Sequence, residues 1–568
     1  MRMARVGVIL DRRVAERRWQ YGLNSFAYYM EEVLQHAGIP FERMDEIESL
    51  PEQAYDLVIA ALVPDDAASA SLLRSYMEQG GTVIACSGLN VLAAGLGAVP
   101  LPPTGPGYAF FEKGDLTSIR YSRAYPWQVG TDNEHVADET GVLRKERPDG
   151  TVHGAAKQTF RIGKGLLERW AIDLCSTIVE LQQGTGPVLG DGEPAPDGSA
   201  AINEGILKAD DRMAVDWGHD RLLTETGQPY IAYPYADYWR ELFIGHLLQA
   251  ALDKGLALPV VGLWPEGVER VAMISHDSDL NEDIHAESTL KLLAECGIHS
   301  TWCMIEPGYS AAIYDQVKEA GHELAFHYNA LDEQGGKWEE NEFDRQLAWL
   351  KEAAALETVA SNKNHYTRFE GWGELFAWCE KGGIQSDQTR GPSKKGNVGF
   401  LFGTCHPFFP IAWSGDRNRM YDVLEIGFLT QDLDLASYWA DSSIIKPFLD
   451  GVARVNGVAH FLFHQVHIHN SETVRAAFRR VVEEAQDRGF VFWTGQQINN
   501  WERVRRNIAL CPSDDRGNPI MLTGEAPEGA VIWIPVPESY TQLEGEELAV
   551  HYGVTCRKLS AAKLANPV

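Results

Sequence analysis

The sequence predicts an α/β chain in three parts. These are an N-terminal unit of strands and helices over residues 1–260, a central irregular (β/α) barrel of about seven strands over 265–506, and a small β-rich unit over 507–568. Three observations predict it. The 568 residues exceed what one hydrophobic core ordinarily serves, and 45% hydrophobic with 23% charged residues is a globular balance. From residue 269 onward, apolar strand-like runs alternate with amphipathic helical runs at βα spacing. After Arg506 the chain changes to short strand-like runs at 520–522, 530–536 and 548–552, separated by Gly, Pro and Glu.

The N-terminal unit opens with a strand at 6–10 and a helix over 25–36. A strand at 56–62 (DLVIAAL), a helix at 67–79, a Gly80-Gly81 turn and a strand at 82–86 follow. Strands alternating with amphipathic helices predict a parallel sheet covered on both faces. The polar, Gly/Pro-rich stretch from 100 to 160 is expected to be irregular or antiparallel, and 165–173 to rejoin the sheet. Residues 184–204 read as a loop excursion. A helix over 238–254 and a connection at 258–265 end the unit.

The barrel is expected to use strands at 270–275, 300–305, 323–327, 359–365, near 384, at 399–403, 423–428, 459–464 and 490–493. Helices at 286–296, 311–320, 342–354, 374–381, 444–455 and 472–488 connect them. The last places Val474, Phe478, Val481, Val482 and Ala485 on one face. Active sites of such barrels lie at the C-terminal ends of the strands.

The bulk charge narrows the partners. With 50 Lys+Arg against 80 Asp+Glu, the net charge is -30, which disfavours nucleic acid and anionic membrane. The eight cysteines include no CxxC pair and read as free thiols of a reducing compartment. The N-terminus reads as a first strand and not as a signal peptide, and no run of 18 apolar residues occurs, so a cytoplasmic location is expected.

Chemistry-bearing residues gather at the expected strand ends. Asp277 and Asp279 in SHDSD stand two apart, so a persisting strand would turn both carboxylates to one side. A cation or shared proton would relieve their repulsion, whereas a plain reading is a solvated turn and helix cap. His327 closes GHELAFH, and His322 begins that strand at the far end from the site. NHYTR at 364–368, GTCHPF at 403–408 and HQVHIH at 464–469 follow later strands. Each is weak alone, and a structural histidine is the commoner case, but all fall on one barrel face. Asp and His suit zinc, iron, cobalt or nickel.

These motifs resemble the polysaccharide deacetylases with NodB homology, carbohydrate esterase family 4, and more narrowly a branch with an HDxD first motif. The resemblance covers about 240 residues. It implies Asp277 as general base and Asp279 as metal ligand, with one residue inserted between the family's two aspartates. It implies His327 as a second ligand. The family's further histidine, four residues on, is Leu331 here, a departure shared by the branch. The NHYTR motif then implies His365 as third ligand, with His406 as the competitor. LFH at 462–464 matches the final motif, whose histidine, His464, is the general acid.

The implied reaction is removal of an acyl group, N-acetyl above all, from a carbohydrate or related amide, at a carbon–nitrogen bond other than a peptide bond. The cofactor is a divalent ion, zinc foremost. Arg368 is expected to orient Asp277 or bind substrate, or else to form a surface salt bridge. Tyr328, Tyr366, Trp372, His406 and Phe408 are expected to contact substrate, the aromatic rings alternatively being barrel packing. Two other readings stand beside this one: a carbohydrate-binding barrel without turnover, which the missing histidine supports, and cyclic amide hydrolysis of the allantoinase kind.

Residues 82–98 resemble the strand-to-helix elbow of class I glutamine amidotransferases, with Cys86 at the nucleophile position. This implies a flavodoxin-like fold. Ile84 stands where that family has Gly, and no His-x-Glu pair appears around 170–185. A cysteine nucleophile needs a base. The unit is therefore read as a non-catalytic scaffold that shapes the cleft or carries a homo-oligomer contact.

Overall fold

The computed structural model describes residues 1–111, 118–130, 133–436, 439–511, 520–521 and 527–560. Residue 522, expected in a tail strand, lies outside them. In the first sheet, strand Val6–Leu10 is buried throughout, as an apolar strand covered on both faces must be. It pairs in parallel with Glu42–Met44 on one side and Leu57–Leu62 on the other. Thr82–Cys86 and Gly165–Trp170 continue the parallel run. Beyond them the sheet becomes antiparallel through Val152–Ile162, Val136–Lys145, Gly107–Phe110 and Ile119–Tyr121. The polar stretch thus extends the sheet edge. Helix Arg12–Gln20 was not expected, because only Ala15 of it is buried. Its start is set by Asp11, which accepts from the backbone of Arg13 and Val14.

The second sheet has nine parallel strands rather than about seven and curls into a half-barrel. Its order is Leu424–Glu425, Ser386–Asp387, Ser361–Asn364, Glu323–Tyr328, Thr301–Met304, Arg270–Asp277, Val458–Leu462 and Thr430–Gln431, with Phe490–Phe492 added beside Arg270–Asp277. Three of these strands are only two residues long; two answer to the strands expected near 384 and at 423–428, and Thr430–Gln431 was not expected. Helices cover the outside. Glu472–Asp487 starts at Ser471, which accepts from Val474 N, and buries the five apolar residues predicted for it. Each such side chain contributes on the order of 1.5–3 kcal/mol. The inside is polar: all four residues of Ser361–Asn364 are buried, and Glu323 accepts from Thr301 Oγ1 at 2.7 Å and Ser361 Oγ at 2.5 Å.

Segment 399–403 is not a barrel strand. Its backbone serves the N-terminal part: Phe400 N donates to Ile231 O at 3.0 Å and Ala236 N to Gly403 O at 2.7 Å. The excursion over residues 184–236 lies along the barrel mouth. Val188 and Gly371 exchange backbone hydrogen bonds of 2.7 and 2.9 Å, and Phe369 N donates to Leu207 O at 3.0 Å. Buried Asp210 accepts from Ser393 Oγ at 2.8 Å and Asn397 Nδ2 at 2.7 Å. A separate contact joins helix Gly495–Arg506 to the N-terminal part, with Arg506 Nη1 donating to Glu32 Oε2 at 2.5 Å. The tail strands Val531–Pro535, Val554–Ser560 and Leu548–His551 form a sheet with Val260–Val261, from the connecting segment.

Candidate active site at the barrel mouth

Strand alternation sorts the first motif. His276 turns outward: its Nδ1 donates to Phe463 O at 2.9 Å, and its ring stacks on Phe478. Burial lowers its pKa to about 3, so it is neutral. Asp277 turns inward, and Asp279 lies beyond the strand end at the same mouth.

His327, at the end of Glu323–Tyr328, donates from Nδ1 to Lys363 O at 2.8 Å. That bond leaves the Nε2 lone pair facing the mouth. Nε2 lies 3.4 Å from Asp279 Oδ1 and 3.3 Å from His365 Nδ1, and His365 Nδ1 lies 3.3 Å from the same Asp279 oxygen. Three donor atoms thus mark a nearly equilateral triangle. A tetrahedral ion with bonds of about 2.0–2.1 Å spaces its ligand atoms by roughly 3.3–3.4 Å. Asp279 Oδ1 is buried without a good hydrogen bond, as an oxygen awaiting a cation would be. Two imidazoles and a carboxylate therefore fit a divalent ion of the zinc type. Leu331, at the position of the absent histidine, is buried apolar packing.

Around the triangle lie acid–base partners. Asp277 Oδ1 is 3.3 Å from Lys363 Nζ, and its Oδ2 is 3.7 Å from His327 Nε2 and 3.9 Å from His464 Nε2. Burial pushes the Asp277 carboxyl up, but Lys363, His327 and His464 outweigh it and hold it below its ordinary value. Asp279 is held well below: burial is overcome by His464 and by the imidazoles of His327 and His365 beside it. His464 donates from Nδ1 to Asp432 Oδ2, while Asp432 Oδ1 accepts the His464 backbone N–H at 2.8 Å. Its Nε2 lies 3.5 Å from Asp279 Oδ2. Burial lowers the His464 pKa, yet Asp432 and then Asp279 raise it to about 10.

These groups open into a cavity of about 270 Å³. Its walls include Tyr366, Thr367, Ser393, Trp439 and His467 from the barrel loops, and Asn203 and Lys208 from the excursion.

The structure brings Asp277, Asp279, His327, His365 and His464 together. Of the five residues expected to contact substrate, only Tyr366 lines this cavity. Tyr328 is buried, with its hydroxyl donating to Lys337 O. Trp372 donates to Ile411 O at 2.7 Å and stacks on Phe26, facing the N-terminal part. His406 bonds Val455 O at 2.7 Å and meets His36 edge-on, away from the triangle. Phe408 is buried and shares backbone bonds with Glu425. Arg368 pairs with Glu370 at 2.5 Å, and Lys363 holds the place beside Asp277 expected for it. Lys363, Asp432 and Lys208 were not foreseen. A lysine inside a strand and an acid directly after one were the only available signals.

Cys86 is buried, and burial followed by Asp173 raises its thiol far above the ordinary value. The cavity of about 490 Å³ beside it has no histidine among its lining residues. Its acidic lining, Asp173 and Glu180, disfavours a thiolate at Cys86.

Comparison with protein families finds no match, and comparison with curated proteins finds none. Solved structures resemble part of the chain. A protein from Mycobacterium smegmatis described as a polysaccharide deacetylase is 16% identical over 43% of this chain and 93% of that one, with a TM-score of 0.33. The Xyl-CE4 domain of a multidomain xylanase, from the hindgut metagenome of Trinervitermes trinervoides, is 13% identical over 42% of this chain and 95% of its own, with a TM-score of 0.26. A mutant of a CE4 family pseudoenzyme with restored enzymatic activity is 11% identical over 41% of this chain and 68% of its own, with a TM-score of 0.25.

Proposed function

We propose that the chain is a metal-dependent hydrolase that removes an acyl group, N-acetyl foremost, from a carbohydrate or related small amide. The observation that carries this reading is the triangle of Asp279 Oδ1, His327 Nε2 and His365 Nδ1, 3.3–3.4 Å on a side, beside the carboxylate of Asp277 and the imidazole of His464. Asp279, His327 and His365 would hold the ion, zinc or else cobalt, nickel or iron. Bound there, a divalent cation supplies Lewis acidity and makes water acidic enough to ionise near neutral pH.

The remaining chemistry belongs to the chain. Asp277 accepts the proton of the attacking water through Oδ2, while Lys363 at Oδ1 keeps the carboxylate ionised and oriented. His464, charged through Asp432, gives its Nε2 proton to the leaving amine nitrogen. A base and an acid together beside one ligand triangle favour turnover over a binding barrel that has lost it. Arg368 takes no part beyond shaping the rim through its pair with Glu370.

The test uses full-length protein loaded with zinc, cobalt, nickel or iron and a panel of N-acetylated sugars. Acetate release is expected, and D277A is expected to lose about 10²–10⁴-fold in rate while keeping its ion. Ion-loaded protein that releases no acyl group from any member sinks the proposal. Ring opening of a cyclic amide without acetate moves it to the allantoinase-like reading.

A further inference from the structure

Lys208 reaches the catalytic cavity from outside the barrel. It lies in the excursion, next to the docking residue Asp210, and forms an isolated bridge with Arg368. Lys208 is only 3% exposed, and its Nζ stands 5.4 Å from the centre of the Tyr366 ring in the cavity wall. Among the described residues no carboxylate lies within 4.0 Å of that ammonium. Asp210, its strongest attractive charge, gives its Oδ2 to Ser393, Asn397 and Lys394, while its buried Oδ1 has no hydrogen-bond partner. A nearly buried cation without a counter-ion is costly unless a ligand completes it. Such a cation is unexpected in a chain of net charge -30. Burial lowers its pKa to about 8, which leaves it mostly charged at neutral pH.

The cavity's size narrows the ligand further. At about 270 Å³ it falls just below the range of about 300–1,000 Å³ usual for small-ligand sites. Asn203, Tyr366 and Trp439 wall it, and its volume matches one sugar ring and its substituents.

We propose that the substrate is a monosaccharide-sized acyl compound bearing an anionic group, phosphate or carboxylate, and that Lys208 binds that group. This rests on the proposed hydrolase reading, and the test separates the two. Full-length, zinc-loaded protein is titrated calorimetrically with N-acetylglucosamine 6-phosphate, with N-acetylglucosaminuronate and with neutral N-acetylglucosamine, and acetate is measured in parallel. One or both anionic probes are expected to bind about ten- to a hundredfold tighter than the neutral one. In K208M that ratio is expected to fall toward one, and in K208R to persist.

Equal affinity of wild-type protein for all three probes overturns the assignment, whatever the variants do. An undiminished ratio in folded, zinc-loaded K208M does the same. N-acetylchitotetraose bound as tightly as the best monosaccharide overturns the size limit. A charge preference that depends on Lys208, with no acetate released from any probe, supports the lysine and sinks the hydrolase reading. Acetate release without charge preference does the reverse.

Discussion

Asp279→Asn tests the ligand triangle directly. The amide keeps the shape but loses the charge, and its oxygen is a poor partner for a divalent ion. In the wild type Asp279 Oδ1 is the corner shared with both imidazoles, at 3.4 and 3.3 Å. Loss of an outer-shell partner costs a metal site about 10–100-fold, so loss of this corner is expected to weaken binding by at least about 100-fold. With ion supplied at one hundred times the wild-type Kd, binding stabilises the fold by about 2.7 kcal/mol; after a 100-fold loss, the same supply gives only about 0.4 kcal/mol. The difference, about 2.3 kcal/mol, corresponds to roughly 5–9 °C for a barrel-sized unit. The quantity to compare is the ion-dependent shift in Tm within each protein, because D279N also alters the ion-free fold by removing a charge beside His464. Ion content after dialysis, by mass spectrometry, is the second readout. An unchanged ion-dependent shift in D279N refutes the reasoning, as does a wild type that takes up no divalent ion.

Two further outcomes follow from buried charges. Asp432→Asn should lower kcat by about 10–100-fold with little change in KM, as part of the 10²–10⁴ a general acid supplies; a rise in KM alone would make Asp432 a binding residue. Glu241, in helix Tyr235–Asp253, has its carboxyl pushed from 4.5 up to about 8 by burial and then Asp237, against Arg454 and Arg240. The fold favours its protonated form, so stability is lost as pH rises from about 4.5 through 8, by at most about 5 kcal/mol. E241Q should therefore raise Tm at pH 8.5 and change it little at pH 5, and a gain equal at both pH values contradicts the assignment.

Legibility followed burial. Apolar strands and one-sided helices such as Glu472–Asp487 declare themselves by period, and the residues at their ends follow. Thr430–Gln431 is too short to carry a period and was not expected. Segment 399–403 looked like a strand because it is apolar, but it is buried under the N-terminal excursion. Asp277, Asp279, His327, His365 and His464 were legible because strand ends of a barrel converge. Trp372, His406 and Phe408 were misplaced because they lie past those ends, where the chain turns toward the other unit. Arg368 carried its own correction, since Glu370 stands two residues on. Lys208 was illegible: about sixty residues before the barrel begins, only docking brings it to the mouth.

That docking also explains how the site bears its own charge. Asp277, Asp279, Lys363 and His464 are all largely buried, and desolvating each is costly unless partners are fixed in place. The strands fix Lys363 and His327, because neighbouring backbones set their separation. Asp432 fixes His464 from the adjacent strand end. The outer wall has no such strand, and here the excursion takes over, held by backbone bonds at Gly371 and Phe369 and by buried Asp210. Its removal would leave Ser393 and Asn397 without their acceptor and open the cavity to water. Solvent there would screen the attraction of Asp432 and Asp279 that keeps His464 charged. The N-terminal part is on this account a component of the site's electrostatics.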